Sequence, residues 1–118
     1  MITAHFSGCF EVRMGSPFQM CRLHLEGEWT PNLDGLGWLP LCSHSPDGRY
    51  LGLVEWDTTK NVPRFRVAVV DMKLKTVERS ESISGCCESL SLSDSEVFWK
   101  AFPDSQGRIG LPLIKPAP

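Results

Sequence analysis

Apolar residues fall at every second position in several short stretches, and no window of helical length carries a clean stripe of period 3.6. From Gln19 to Glu26, Cys21, Leu23 and Leu25 alternate with Met20, Arg22, His24 and Glu26, the pattern of a half-buried strand. Phe10 to Met14 is expected to pair with it through Gly15-Ser16-Pro17. The clearest run lies between Ser45 and Ser82. Ser45-Pro46-Asp47-Gly48 is a turn in which proline presets φ, aspartate bonds its own backbone and glycine accepts positive φ. It opens a strand from Tyr50 to Asp57. A loop over Thr58 to Pro63 follows, then Arg64 to Asp71, where Phe65, Val67 and Val69 alternate with Arg64, Arg66 and Ala68. After a turn over Asp71 to Lys75, Thr76 to Ser82 completes a three-stranded meander, with Arg64 and Arg66 expected on a polar outer face.

Elsewhere the pattern is broken by glycine and proline. The connection from Gly27 to Pro40 holds Trp29, Leu33, Leu36, Trp38 and Leu39, too apolar for a free linker, and is expected to pack over one end of the core. Cys87 to Leu92 reads as a short strand. Val97 to Phe102 is read as a strand too, although Ser93-x-x-Glu96 also has the spacing of a helix cap. A turn over Pro103 to Gly107 and apolar Ile109 to Ile114 suggest a final hairpin. The fold class predicted is therefore mostly β, a single-domain antiparallel sheet or sandwich with a central three-stranded meander and few or no helices. The domain spans residues 1–114, and Lys115-Pro116-Ala117-Pro118 forms a loose tail.

The chain has 118 residues, 42% of them hydrophobic, enough to close one core. At least two of its four tryptophans are expected inside it. A net charge of −2 argues against a dedicated nucleic-acid or membrane-surface protein, which needs a cationic field. The charge is uneven, however. Lys60, Arg64, Arg66, Lys73, Lys75 and Arg79 oppose only Asp71 and Glu78, giving that window a net +4, and acidic stretches flank it on both sides. No apolar run has the length of a signal peptide or a membrane span. Five cysteines without regular spacing are read as reduced thiols, and the expected compartment is the cytoplasm.

Candidate chemistry is sparse. His5-x3-Cys9, Cys21-x2-His24 and Cys42-x-His44 do not make two properly spaced zinc-ligand pairs, so no metal or other cofactor is expected. Vicinal Cys86 and Cys87 read as one core and one exposed thiol, without a basic neighbour in sequence to activate either. Ser43, His44, Ser45 and Asp47 are the residue types of a hydrolytic triad, but neighbours along a strand and turn cannot converge as one. Phosphate-loop, dinucleotide, G-x-S-x-G and H-E-x-x-H motifs are absent, and a non-enzymatic function is expected.

The stretch Ser45-Pro46-Asp47-Gly48-Arg49-Tyr50-Leu51-Gly52-Leu53-Val54, followed by Val67-Ala68-Val69-Val70-Asp71 and Thr76-Val77, resembles one blade of a TolB-like or WD-repeat β-propeller. Leu74 stands where such blades place Gly or Asn, and the chain is too short for a propeller, so the resemblance implies a meander. As a class, the chain resembles small bacterial toxin-immunity proteins of contact-dependent growth-inhibition systems, which are small, cytosolic, non-enzymatic and often acidic. That resemblance implies a protein partner, a cognate toxin domain, and stoichiometric occlusion of its active site. Glu26, Glu28, Trp29, Asp34, Trp38, Asp57 and Glu88 are the candidate partner contacts, the acids standing in for phosphate if the toxin is a nuclease. The alternative is a nucleic-acid- or ligand-binding β domain using Arg64, Arg66 and aromatic residues as a stacking platform.

Overall fold

The structure, a computed structural model, describes residues 2–12, 18–59 and 62–112. The Gly15-Ser16-Pro17 turn, Lys60 and the C-terminal tail lie outside those residues. Among the described residues ten strands run β1 Thr3–Glu11, β2 Gln19–Glu26, β3 Gly35–His44, β4 Tyr50–Trp56, β5 Arg64–Asp71, β6 Thr76–Arg79, β7 Ile83–Ser84, β8 Cys86–Leu92, β9 Glu96–Phe102 and β10 Ser105–Gly110. All pairings are antiparallel. The first sheet has the order β1-β2-β3-β4-β5-β6, with β7 pairing the start of β5, and the second has the order β10-β9-β8. Among the described residues, no helix is long and apolar enough to cross a membrane.

The meander is present as β4, β5 and β6, but it forms one end of a longer sheet rather than its centre. Two expectations change at its N-terminal side. Strand β1 begins at Thr3 rather than Phe10, and the segment expected to be a connection up to Pro40 supplies the first half of β3. Gly35 and Gly37 adopt φ of +136° and +127°, which breaks the alternation by which a strand is recognised.

Both faces of the meander are buried. On β4 and β5, Tyr50, Val54, Trp56, Phe65, Val67 and Val69 join a core completed by Leu92, Val97 and Ala101 of the second sheet. Leu51, Leu53, Ala68 and Val70 point the other way, into a core with Ile2, Leu23, Leu25, Leu33 and Trp38. Apart from Ile2, which immediately precedes β1, these residues belong to the first sheet and its β2–β3 connection, so the sheet must curl with this face inside. The polar outer face expected of Arg64 and Arg66 therefore stops short of Ala68 and Val70, which are buried. Trp38 and Trp56 are the buried tryptophans.

The second sheet sits close because of Gly52. A methyl group on its Cα would lie 2.6 Å from Leu92 Cδ1 and 3.2 Å from Leu90 Cδ2. The Ser93-x-x-Glu96 segment caps a hairpin, not a helix: Ser93 Oγ accepts from the Ser95 and Glu96 amides at 3.3 and 3.0 Å, and Ser93 N–H donates to the Glu96 carbonyl at 2.9 Å.

Polar side chains lock the corners. Ser45 Oγ donates to Asp47 Oδ1 at 2.7 Å and accepts from the Tyr50 amide at 2.9 Å, while Gly48, at φ +78°, closes the turn onto the Ser45 carbonyl at 2.9 Å. Arg49 forks onto Asp71 at 3.1 and 2.9 Å, and Asp71 Oδ1 also accepts from the Lys73 and Leu74 amides. Burial alone would raise the Asp71 pKa, but these hydrogen bonds outweigh it and hold the carboxyl below its ordinary value. Asp57 accepts from Ser82 Oγ at 2.5 Å and from the Thr59 hydroxyl and amide at 2.6 and 3.0 Å, and those bonds lower its pKa further still.

One covalent link departs from the reduced thiols expected. Cys9 and Cys21 form a disulfide across β1 and β2. Ser7 faces Arg22 and Phe10 faces Met20, so Gly8 and Cys9 together oppose Cys21 alone. Gly8 takes φ +58° at this bulge. Without the bulge, strict alternation would put Cys9 on the opposite face from Cys21. The link removes the thiol argument for a reducing compartment. Cys42 and Cys87 are outside the disulfide, and burial pushes the Cys87 thiol up to about 11.

Three outcomes follow from this architecture. Gly52→Val should destabilise the protein by about 1–3 kcal/mol in urea unfolding, through overpacking against Leu90 and Leu92. Asp57 and Asp71 have depressed folded-state pKa values, so their stabilisation is complete above the ordinary carboxyl value of 3.8 and is lost as pH falls through the folded values. Denaturation midpoints should accordingly decline below about pH 4, and more shallowly in Asp71→Asn. Alkylation of the folded, unreduced protein should modify Cys42, spare Cys87 until denaturant is added, and modify Cys9 and Cys21 only after reduction; five adducts in denaturant without reductant would disprove the link.

Candidate functional site

The face of β1 and β2 turned away from the curled core carries Thr3, His5, Ser7, Arg22, His24 and Glu26, as strand alternation and cross-strand register require. His5 stands directly opposite His24, and their rings stack with centroids 6.2 Å apart. Glu26 lies two residues beyond His24 on the same face. One of its oxygens is 3.4 Å from His5 Nε2 and the other 3.7 Å from His24 Nε2. Asp34, just before β3, closes the cluster: its Oδ2 is 2.7 Å from His24 Nδ1, and its Oδ1 accepts from the Leu25 amide at 3.3 Å.

All four side chains are roughly half exposed, between 46% and 64%. Contacts at such exposure contribute ~0–1 kcal/mol each. Their consequence is geometric: two carboxylates are oriented on a stiff sheet while keeping free acceptor positions toward solvent. Among the described residues, no group of three or more His, Cys, Asp or Glu can hold a metal ion.

The other candidate contacts are dispersed. Glu28 is exposed in the β2–β3 connection rather than in line with Glu26 on a strand. Trp29, in the same connection, packs against the curled core and receives Lys75 Nζ at 5.2 Å from its ring centroid. Trp38 is only 2% exposed and fills the curled core, so it offers a partner no surface. Asp57 is committed to Ser82 and Thr59, with Arg66 at 3.8 Å. Glu88 is exposed on β8, at the bulge between Cys87 and Ser89, on the other sheet.

The cationic alternative is similarly occupied. Arg64 donates to the Ser82 hydroxyl at 2.8 Å and to its carbonyl at 3.2 Å, and Arg66 faces Asp57. The triad residue types point apart: His44 Nε2 meets the Ile2 carbonyl at 2.8 Å, Ser43 Oγ accepts from the Leu92 amide, and Ser45 serves its turn.

Sequence reasoning brought Glu26 and Asp34 forward but treated His5 and His24 only as possible metal ligands. The alternation of Thr3, His5 and Ser7 with Ala4 and Phe6 was the signal that would have extended β1 and aligned the two histidines. Among known proteins, no family model, curated protein or solved structure matches this chain.

Proposed function

We propose that this chain is a non-enzymatic protein-binding module, and specifically an immunity protein that neutralises a bacterial toxin by stoichiometric occlusion. The observation that carries the reading is the pair of oriented, exposed carboxylates, Glu26 and Asp34, held by His5, His24 and the Leu25 amide. A rigid acidic face gives complementarity to a basic active-site cleft, and for a nuclease toxin the carboxylates replace substrate phosphates. Glu28 and the partly exposed Trp29, in the adjoining β2–β3 connection, remain further candidate contacts. Trp38 and Asp57 leave the contact set, since one fills the core and the other ties loops together. The size of the chain and its net charge of −2 support the same reading.

Co-expression with a toxin domain encoded beside this chain tests it. The wild-type protein should restore growth and co-purify with the toxin at one-to-one stoichiometry. Glu26→Lys combined with Asp34→Lys should abolish protection while leaving the unfolding midpoint nearly unchanged, because exposed ion pairs contribute little to stability. Glu88→Lys should protect like wild type. Full protection by the double variant would place the interface elsewhere.

A further inference from the structure

The outward face of the second sheet carries a different chemistry. Strand β9 presents Phe98, Lys100 and Phe102 in line, since Val97, Trp99 and Ala101 face the core between the sheets. Phe98 and Phe102 are 39% and 53% exposed, and Lys100 is exposed between them. Register adds Arg108 and Gln106 on β10, opposite Phe98 and Lys100, and Ser91 and Ser89 on β8. A cavity of about 400 Å³ opens along the β9–β10 ladder, lined by Phe98, Trp99, Gln106, Gly107 and Arg108. Gly107, directly opposite Trp99, makes room for its indole on the inner face, where a Cβ on it would lie 2.5 Å from the ring.

We infer that this face binds single-stranded nucleic acid, with one nucleotide at the cavity and the strand continuing over Lys100 to Phe102. Four residues of extended chain separate the two phenylalanines by about 13 Å, the span of two stacked-out nucleotides, with a cation midway for the phosphate. Phe98 supplies a ring for base stacking, Gln106 an amide for the base edge, and Arg108 a guanidinium for phosphate. The cavity volume falls within the range of small-ligand sites, which suits one nucleotide rather than a protein segment. Arg108 is 73% exposed and only loosely engaged with Glu96 at 3.6 Å, so it can turn to a phosphate. Phe102 retains its exposed area while its ring meets Phe18 at 5.9 Å. Glu96 and Glu88 sit beside the platform and keep affinity modest. This site is independent of the acidic face on the first sheet.

Fluorescence anisotropy with labelled oligo-dT and oligo-U of about ten nucleotides tests the inference. Binding should be saturable and weaken steeply with added salt. Phe98→Ala and Arg108→Gln should each weaken it at least about five-fold, with unfolding midpoints confirming that the variants fold. The Glu26→Lys, Asp34→Lys variant should retain full affinity, which separates this site from the proposed toxin interface. A duplex of the same sequence should bind far more weakly. No binding at low salt, equal affinity for a free mononucleotide, or wild-type affinity in both Phe98→Ala and Arg108→Gln would overturn the inference. So would sedimentation showing that Phe98 instead mediates a dimer whose loss accounts for the change.

Discussion

Burying both faces of one meander is the constraint on which the rest of this structure depends. Strands β4 and β5 carry apolar side chains on alternate and on intervening positions, so neither face can be left to water. One face is covered by a second, three-stranded sheet and the other by the curl of the sheet on itself. The first solution demands close approach, which Gly52 permits. The second demands that β1, β2 and the β2–β3 connection bring Ile2, Leu23, Leu25 and Leu33 over Leu51 and Leu53.

The two exposed surfaces follow from that division. Curling puts the odd-numbered residues Cys21, Leu23 and Leu25 inside and leaves His5, His24 and Glu26 outward on the opposite face of the same strands. The second sheet uses Val97, Trp99 and Ala101 to close the opposite core, which leaves Phe98, Lys100 and Phe102 in solvent. The acidic and the aromatic-cationic surfaces are therefore the complements of two separate packing solutions, and each can change without disturbing the other's core.

Legibility in the sequence tracked how simply each segment alternates. Strands β4 and β5 were readable almost to the residue, because a designed-looking turn precedes them and their apolar positions are regular. Strand β3 was hidden by Gly35, Gly37 and Pro40, and by Trp38 and Leu39, which are both buried because they serve different cores. The burial of Ala68 and Val70 beside Arg64 and Arg66 was illegible for a related reason: a strand pattern specifies which residues share a face, but not whether distant strands curl back to cover it. The candidate site was legible only in its acids. Its histidines depend on a cross-strand register that could not be drawn until β1 was known to begin at Thr3.

The bulge at Gly8 and Cys9 shows how far a single residue can act. It inserts one position into β1, and every side chain after it exchanges faces relative to those before it. His5 and Ser7 align with the outward row of β2 on one side of the bulge, while Cys9 reaches the inward Cys21 on the other. Without the bulge, the same residues in unbroken alternation would pair Cys9 with Met20 and leave the two cysteines on opposite sides of the sheet. Whether this chain is covalently closed is thus a property of strand phase, set by where the bulge falls, and not only of the presence of the two thiols.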